Sequence, residues 1–154
     1  MKELDGADNY CIGEKEYEST LKEDLYINST DLGNAFADHA ERYSWYATAY
    51  ELAINYEAQV KVNLERYWAT LYNTLKSSAV ATGAKVTEKS LESKILTDDI
   101  YLQLQDSYLL SKRNTGLLKA ARDAMIHRKD MLVQSGATYR AEVAADVSLK
   151  AQHT

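Results

Sequence analysis

From about Asp31 to Ala81, apolar side chains recur in alternating steps of four and three: Phe36, Ala40, Tyr43, Ala47, Tyr50 and Ile54, then Leu64, Trp68, Leu71 and Leu75 after a polar interruption at Glu57 and Lys61. Such steps keep residues on one face of an α-helix and describe a seven-residue seam. Ala53, Val60 and Tyr67 widen it. The pattern predicts one helix on the order of 75 Å long, at ~1.5 Å per residue. Glu57 and Lys61 stand one turn apart. They read either as an ion pair at the edge of the seam or as a polar layer that fixes register in a coiled coil.

Punctuation around this segment places the other elements. Residues 14–26 can form a short helix, and INST at 27–30 stops it. Ser29 or Thr30 can cap the long helix, with Asp31 favouring its positive end. TGAKVTEKS at 82–90 breaks the chain again, with Gly83 as a C-terminal cap and Thr87 as the N-cap of a short helix near 88–96. Thr97 or Asp98 then caps a second long helix, from about Asp99 to Ser135, ending at Gly136. Its later half carries Leu110, Leu117, Leu118, Ala121, Met125 and Leu132 on one face. There are no strand-like alternating runs and no repeat of fixed period.

The fold these elements predict is all-α. Two long helices form a hairpin or coiled coil with short flanking helices, one helical domain over 14–143 between flexible tails at 1–13 and 144–154. A seam of that length exceeds what a lone chain of 154 residues can cover, so the expectation is a homo-oligomer.

Composition agrees with long helices: there is no Pro and there are six Gly. No run of 18 apolar residues is present, so a soluble, cytoplasmic protein is expected. The acidic N-terminus lacks the apolar core of a signal peptide. Cys11 stands alone and reads as an inert thiol in a reducing compartment.

Catalytic chemistry finds no footing. A di-metal carboxylate site in a helical bundle uses Glu-x-x-His pairs, but His39 follows Phe36 and His127 follows Ala124 at that spacing. One Cys and three scattered His supply no metal cluster. Gly83 in TGAK lacks the phosphate-loop pattern. No cofactor, metal or enzymatic activity is expected.

Charge points to a binding role. The net charge is −5, yet residues 1–57 hold 13 acids and 4 bases, whereas residues 107–140 hold 7 bases and 2 acids. Lys112, Lys119 and Lys129 read as one basic stripe with Arg122 flanking it, the footprint of a groove that follows a phosphate backbone or simply a solvated face. Arg128 points to the apolar side and is expected to pair internally or at an interface. Aromatic residues concentrate at 43–72. Tyr43, Tyr50 and Trp68 fall on the seam as core, while Tyr56 and Tyr72 lie off it and could stack bases.

The segment from Leu21 to Leu32, LKEDLYINSTDL, resembles the N-terminal signature L-K-x-D-x-x-I-x-S-T-x-L of the phage recombination-mediator family UvsY. Tyr43-Ser44 follows at the family spacing. Glu57-Ala58-Gln59-x-Lys61-Val62-x-Leu64 agrees if about four residues are missing before it, and Asp123-Ala124-Met125 with Arg128 resembles the family's last helix. The resemblance spans roughly residues 20–140. It implies a small helical, ring-forming homo-oligomer that binds single-stranded DNA. It further implies contact with a RecA-like recombinase and the single-strand-binding protein, loading the first in place of the second. The family's Lys-x-Arg DNA pair falls on Glu65 and Tyr67, with Arg66 between them. Candidate DNA contacts are therefore Lys61, Arg66 and Lys76 on the first long helix and Lys112, Lys119, Arg122 and Lys129 on the second. The competing reading is a non-enzymatic phage assembly or scaffold adaptor that shares the seam and needs no polyanion.

Overall fold

The computed structural model describes residues 8–12, 15–19 and 21–152, with side chains over 21–148 and at 151. Strands β1 (Asp8–Ile12) and β2 (Lys15–Ser19) pair with each other. Helices follow: α1 (Leu21–Leu25), α2 (Leu32–Ala81), α3 (Glu88–Leu96) and α4 (Asp99–Gln152). The all-α hairpin expectation holds in α2 and α4, of 50 and 54 residues. The helix expected over 14–26 shrinks to α1, because residues 15–19 are drawn into a strand ladder. Of the tail expected at 1–13, residues 8–12 form β1 and the rest lies outside the described residues. Cys11 falls in β1, whose side chains also lie outside them.

Helix ends follow the local chemistry. Asp31, rather than Ser29 or Thr30, caps α2: its carboxylate accepts from the Asn34 backbone N–H (3.3 Å) and from Asn34 Nδ2 (2.7 Å). Thr30 is instead held by Asn28 Oδ1, which accepts from its N–H (3.0 Å) and hydroxyl (2.7 Å). At the other end Gly83 takes φ +65°, and the N–H groups of Gly83 and Ala84 donate to Val80 and Ala79. This left-handed glycine closure satisfies the last carbonyls. Thr87 accepts from the Ser90 N–H to cap α3, and Asp98 accepts from the Tyr101 N–H (2.9 Å) to cap α4. That bond, first, and one from the Tyr67 hydroxyl hold the Asp98 carboxyl below the usual range.

Gly136 does not end α4, which runs through it to Gln152 and takes in residues expected as a tail from 144. Gly136 is buried, and a side-chain carbon there would lie in van der Waals contact with the Phe36 ring at 3.4 Å. The Ala-rich sequence after it, without Pro, favours helix.

The described chain divides into two compact units. The first joins Tyr17–Tyr50 to Leu117–Thr154. Here Tyr46, Ala121 and Met125 form a buried cluster, with Leu21 and Leu25 of α1 packed against it. Asp24 fastens α1 to α2, accepting from Arg42 Nη1 (2.6 Å) and the Tyr46 hydroxyl (2.9 Å). Arg128 is buried, as its apolar-side position predicted. It donates to the carbonyls of Ala35 and Tyr26 (3.3 Å each) and to His39 Nδ1 (3.2 Å). Since arginine has no acceptor, His39 Nδ1 must accept and the ring is neutral. Burial, then Arg128 and Lys129, push the His39 pKa down. The second unit contains Glu51–Gly116. Leu91 and Ile95 of α3 are buried in it, and the Thr115 hydroxyl reaches the Ala53 carbonyl (3.3 Å).

The seam of α2 keeps its four-three rhythm; as far as Val60 it sits one residue earlier than expected, while Leu64, Trp68, Leu71 and Leu75 are half-buried where expected. Ala35, Tyr46, Ala49, Ala53 and Val60 are buried, with His39, Arg42 and Tyr56 half-buried between them. Phe36, Tyr43 and Ile54 are exposed instead. On α4, Leu118, Ala121, Met125 and Leu132 are fully buried as expected, whereas Leu110 and Leu117 are not. The Glu57–Lys61 pair is not formed; Lys61 pairs with Glu65 (3.8 Å).

Met125→Ala should cost about 2–5 kcal/mol, measured by thermal or urea unfolding, because a fully buried side chain leaves a cavity; a cost near zero would show that this cluster is not a core. Because the folded His39 pKa lies below its ordinary 6.5, its stabilising contribution is present above that value and is lost as pH falls through the lower folded one. The unfolding midpoint should therefore fall more steeply on acidification below neutrality for the parent chain than for His39→Gln, whose amide oxygen can still accept from Arg128. Equal slopes would overturn this assignment.

Candidate nucleic-acid interface

In the second unit, each expected basic contact on α2 has a distinct setting. Lys61 is exposed and paired only at long range with Glu65. Arg66, also exposed, borders a shallow groove of about 460 Å³ with Asn55, Gln59 and Asn63. Lys76 Nζ lies 5.9 Å from the Tyr72 ring centroid, and that ring stacks on Trp68 at 5.2 Å and 12°. The Tyr72 hydroxyl donates to Glu88 (3.1 Å), so this off-seam tyrosine, like half-buried Tyr56, is less free than its position on α2 suggested. Lys112 on α4 is exposed.

In the first unit, Lys119 is exposed. Lys129 is exposed and meets Asp130 at 3.4 Å. Arg122 is held more firmly. Its Nε and Nη2 donate to Asp123 Oδ1 (3.1 and 2.8 Å), and its guanidinium lies 4.5 Å from the Tyr50 ring centroid. The Asp123 hydrogen bond, first, raises its pKa, so its charge is permanent.

The seven expected residues do not make one stripe. At ~100° per residue Lys112 and Lys119 share a face of α4, whereas Lys129 falls with Arg122 about 80° away. Correcting the shared face of Lys112, Lys119 and Lys129 therefore gives two pairs. Two further residues belong beside the second pair. Tyr43, expected as core, is exposed, and Arg140 Nη1 lies 3.5 Å from where a side-chain carbon at Gly136 would be. The helix end expected at Gly136 had separated Arg140 from this face.

Among the described residues no group of three or more His, Cys, Asp or Glu gathers to hold a metal, and no helix is long and apolar enough to cross a membrane. What the surface offers is fixed and mobile cations beside aromatic rings, which suits binding of an anionic, ring-bearing ligand.

By sequence, no family model and no curated protein matches this chain. By structure, it is similar to the crystal structure of the bacteriophage T4 recombination mediator protein UvsY, with a TM-score of 0.64, 16% identity, and coverage of 79% of this chain and 92% of that one. At that identity the likeness establishes the fold.

Proposed function

We propose that this chain is a non-enzymatic recombination mediator. It binds single-stranded DNA as a homo-oligomer and helps load a RecA-like recombinase onto DNA covered by single-strand-binding protein. The observation that carries the reading is the shared fold with a recombination mediator, extending over nearly all of that protein. The residues of the N-terminal signature add to it, because Leu21 and Asp24 both fix α1 in the first unit. Cations on α4 supply the phosphate contacts: exposed Lys112, Lys119 and Lys129, with half-buried Arg122. Lys61, Arg66 and Lys76 are the α2 candidates. Large exposed apolar residues, among them Leu52, Ile54, Leu109, Leu110 and Val133, supply surface for other copies of the chain.

A second reading, an assembly adaptor without DNA affinity, is favoured by the net charge of −5 and by the Asp partners of Arg122 and Lys129.

Titration of a labelled oligonucleotide should show binding that weakens steeply with salt, in proportion to the phosphates neutralised. Replacing Lys112, Lys119 and Lys129 together by Glu should abolish binding while the light-scattering mass stays that of the parent oligomer. Absence of binding at about 50 mM salt, in a chain that still assembles, would replace the mediator with the adaptor.

A further inference from the structure

In the first unit α2 presents Phe36, Tyr43 and Tyr50 at seven-residue steps. Seven residues is nearly two turns, so the rings recur along one face about 10 Å apart. That separation is too great for them to stack on one another, since stacked rings approach within about 4.5–7 Å. Phe36 and Tyr43 are 43% and 37% exposed, and Tyr50 is half-buried.

Along the same stretch α4 carries a series of cations. The Arg122 guanidinium covers Tyr50 at 4.5 Å. Lys129 stands seven residues beyond Arg122 on α4, as Tyr43 stands seven before Tyr50 on α2, so the antiparallel pair sets Lys129 at the level of Tyr43, whose ring lies 6.3 Å from that of His39. Arg140 and the Phe36 ring converge on Gly136, where neither meets a side chain. Arg122, Lys129 and Gly136 repeat at the same seven-residue step.

We propose that this row is a base-stacking face for single-stranded nucleic acid, with Phe36 and Tyr43 receiving bases and Arg122, Lys129 and Arg140 holding the intervening phosphates. The assignment rests on the mediator reading and adds to it a contribution that salt does not screen. Aromatic rings accept any base through its π-face, while adjacent cations track the backbone. Asp123 and Asp130 pair with Arg122 and Lys129. Because Asp123 engages only Nε and Nη2 of Arg122, the remaining nitrogen points outside that pair and can meet a phosphate oxygen. A second copy of this chain would suit an uninterrupted apolar face better than one flanked by a series of cations.

The test compares an oligothymidylate with an abasic phosphodiester strand of equal length and charge. The parent chain should prefer the base-bearing strand. Phe36→Ala with Tyr43→Ala should weaken that strand's binding about thirtyfold or more. Binding of the abasic strand, the salt slope, the circular dichroism and the light-scattering mass should stay as in the parent. Tyr43→Phe should retain parental binding. Equal affinity of the double variant and parent for the base-bearing strand would overturn the proposal, as would a parent that does not distinguish the strands. A fall in oligomer mass would assign the row to a subunit contact instead and overturn it equally. A parent that binds neither strand removes the mediator reading as well, whereas salt-dependent binding indifferent to the rings removes this proposal alone.

Discussion

Close approach of two helix backbones is the constraint on which the described structure depends. Side chains of α4 reach main-chain carbonyls of α2: Arg128 meets Ala35 and Thr115 meets Ala53, each at 3.3 Å. Small residues make this possible, since Ala35, Ala49, Ala53 and Ala121 are all buried. A pair of helices packed this closely has a narrow buried stripe on each member, and whatever lies beside the stripe remains at the surface. The large apolar residues left there are thus a consequence of packing on alanine. The short helices α1 and α3 cover only part of the pair in each unit.

The same closeness accounts for the buried charge. Arg128 crosses from α4 to the Ala35 carbonyl of α2 and to the Tyr26 carbonyl just after α1, so one side chain joins three segments of the first unit. Its Nε has no partner among the described atoms, so the arrangement is not an optimum of stability. What it supplies is position: the segment between α1 and α2 can dock only where its carbonyl meets the guanidinium. Asp24, binding Arg42 and Tyr46, fixes the other side of α1. The stretches LKEDLYINSTDL and DAM with Arg128, far apart in the chain, are thereby parts of one structural joint.

Element boundaries were legible wherever a local rule decides them. Gly83, Thr87 and Asp98 each act through their own backbone neighbours, and α2 and α3 ended where those residues predicted. Register was legible only to within a residue. Hydropathy favours the seam with the most carbon, that of Phe36, Tyr43 and Ile54, whereas packing chose the neighbouring one richer in alanine, because the approach of α4 rewards small residues. Gly136 misled for a related reason. A glycine reads as a helix end from sequence, but here it lies buried within α4, beside the Phe36 ring of another helix. Nor did the sequence's lack of alternating runs exclude the short β1–β2 pair.

The candidate site was harder to read because it is a property of two helices at once. A wheel drawn on α4 sorts its cations by angle but says nothing of what α2 sets beside them. In an antiparallel pair, each seven-residue step forward on one helix matches an equal step back on the other. A single register therefore aligns Tyr50 with Arg122, Tyr43 with Lys129, and Phe36 with Gly136 and its neighbour Arg140. Either series alone is unremarked: three rings within a long tyrosine-rich helix, three positions within a basic one. Both helices repeat every seven residues because the seam demands it, so any residue type held at that spacing beside the seam meets the matching series opposite. The periodicity that buries alanine thus also sets aromatic rings against cations at intervals along the surface.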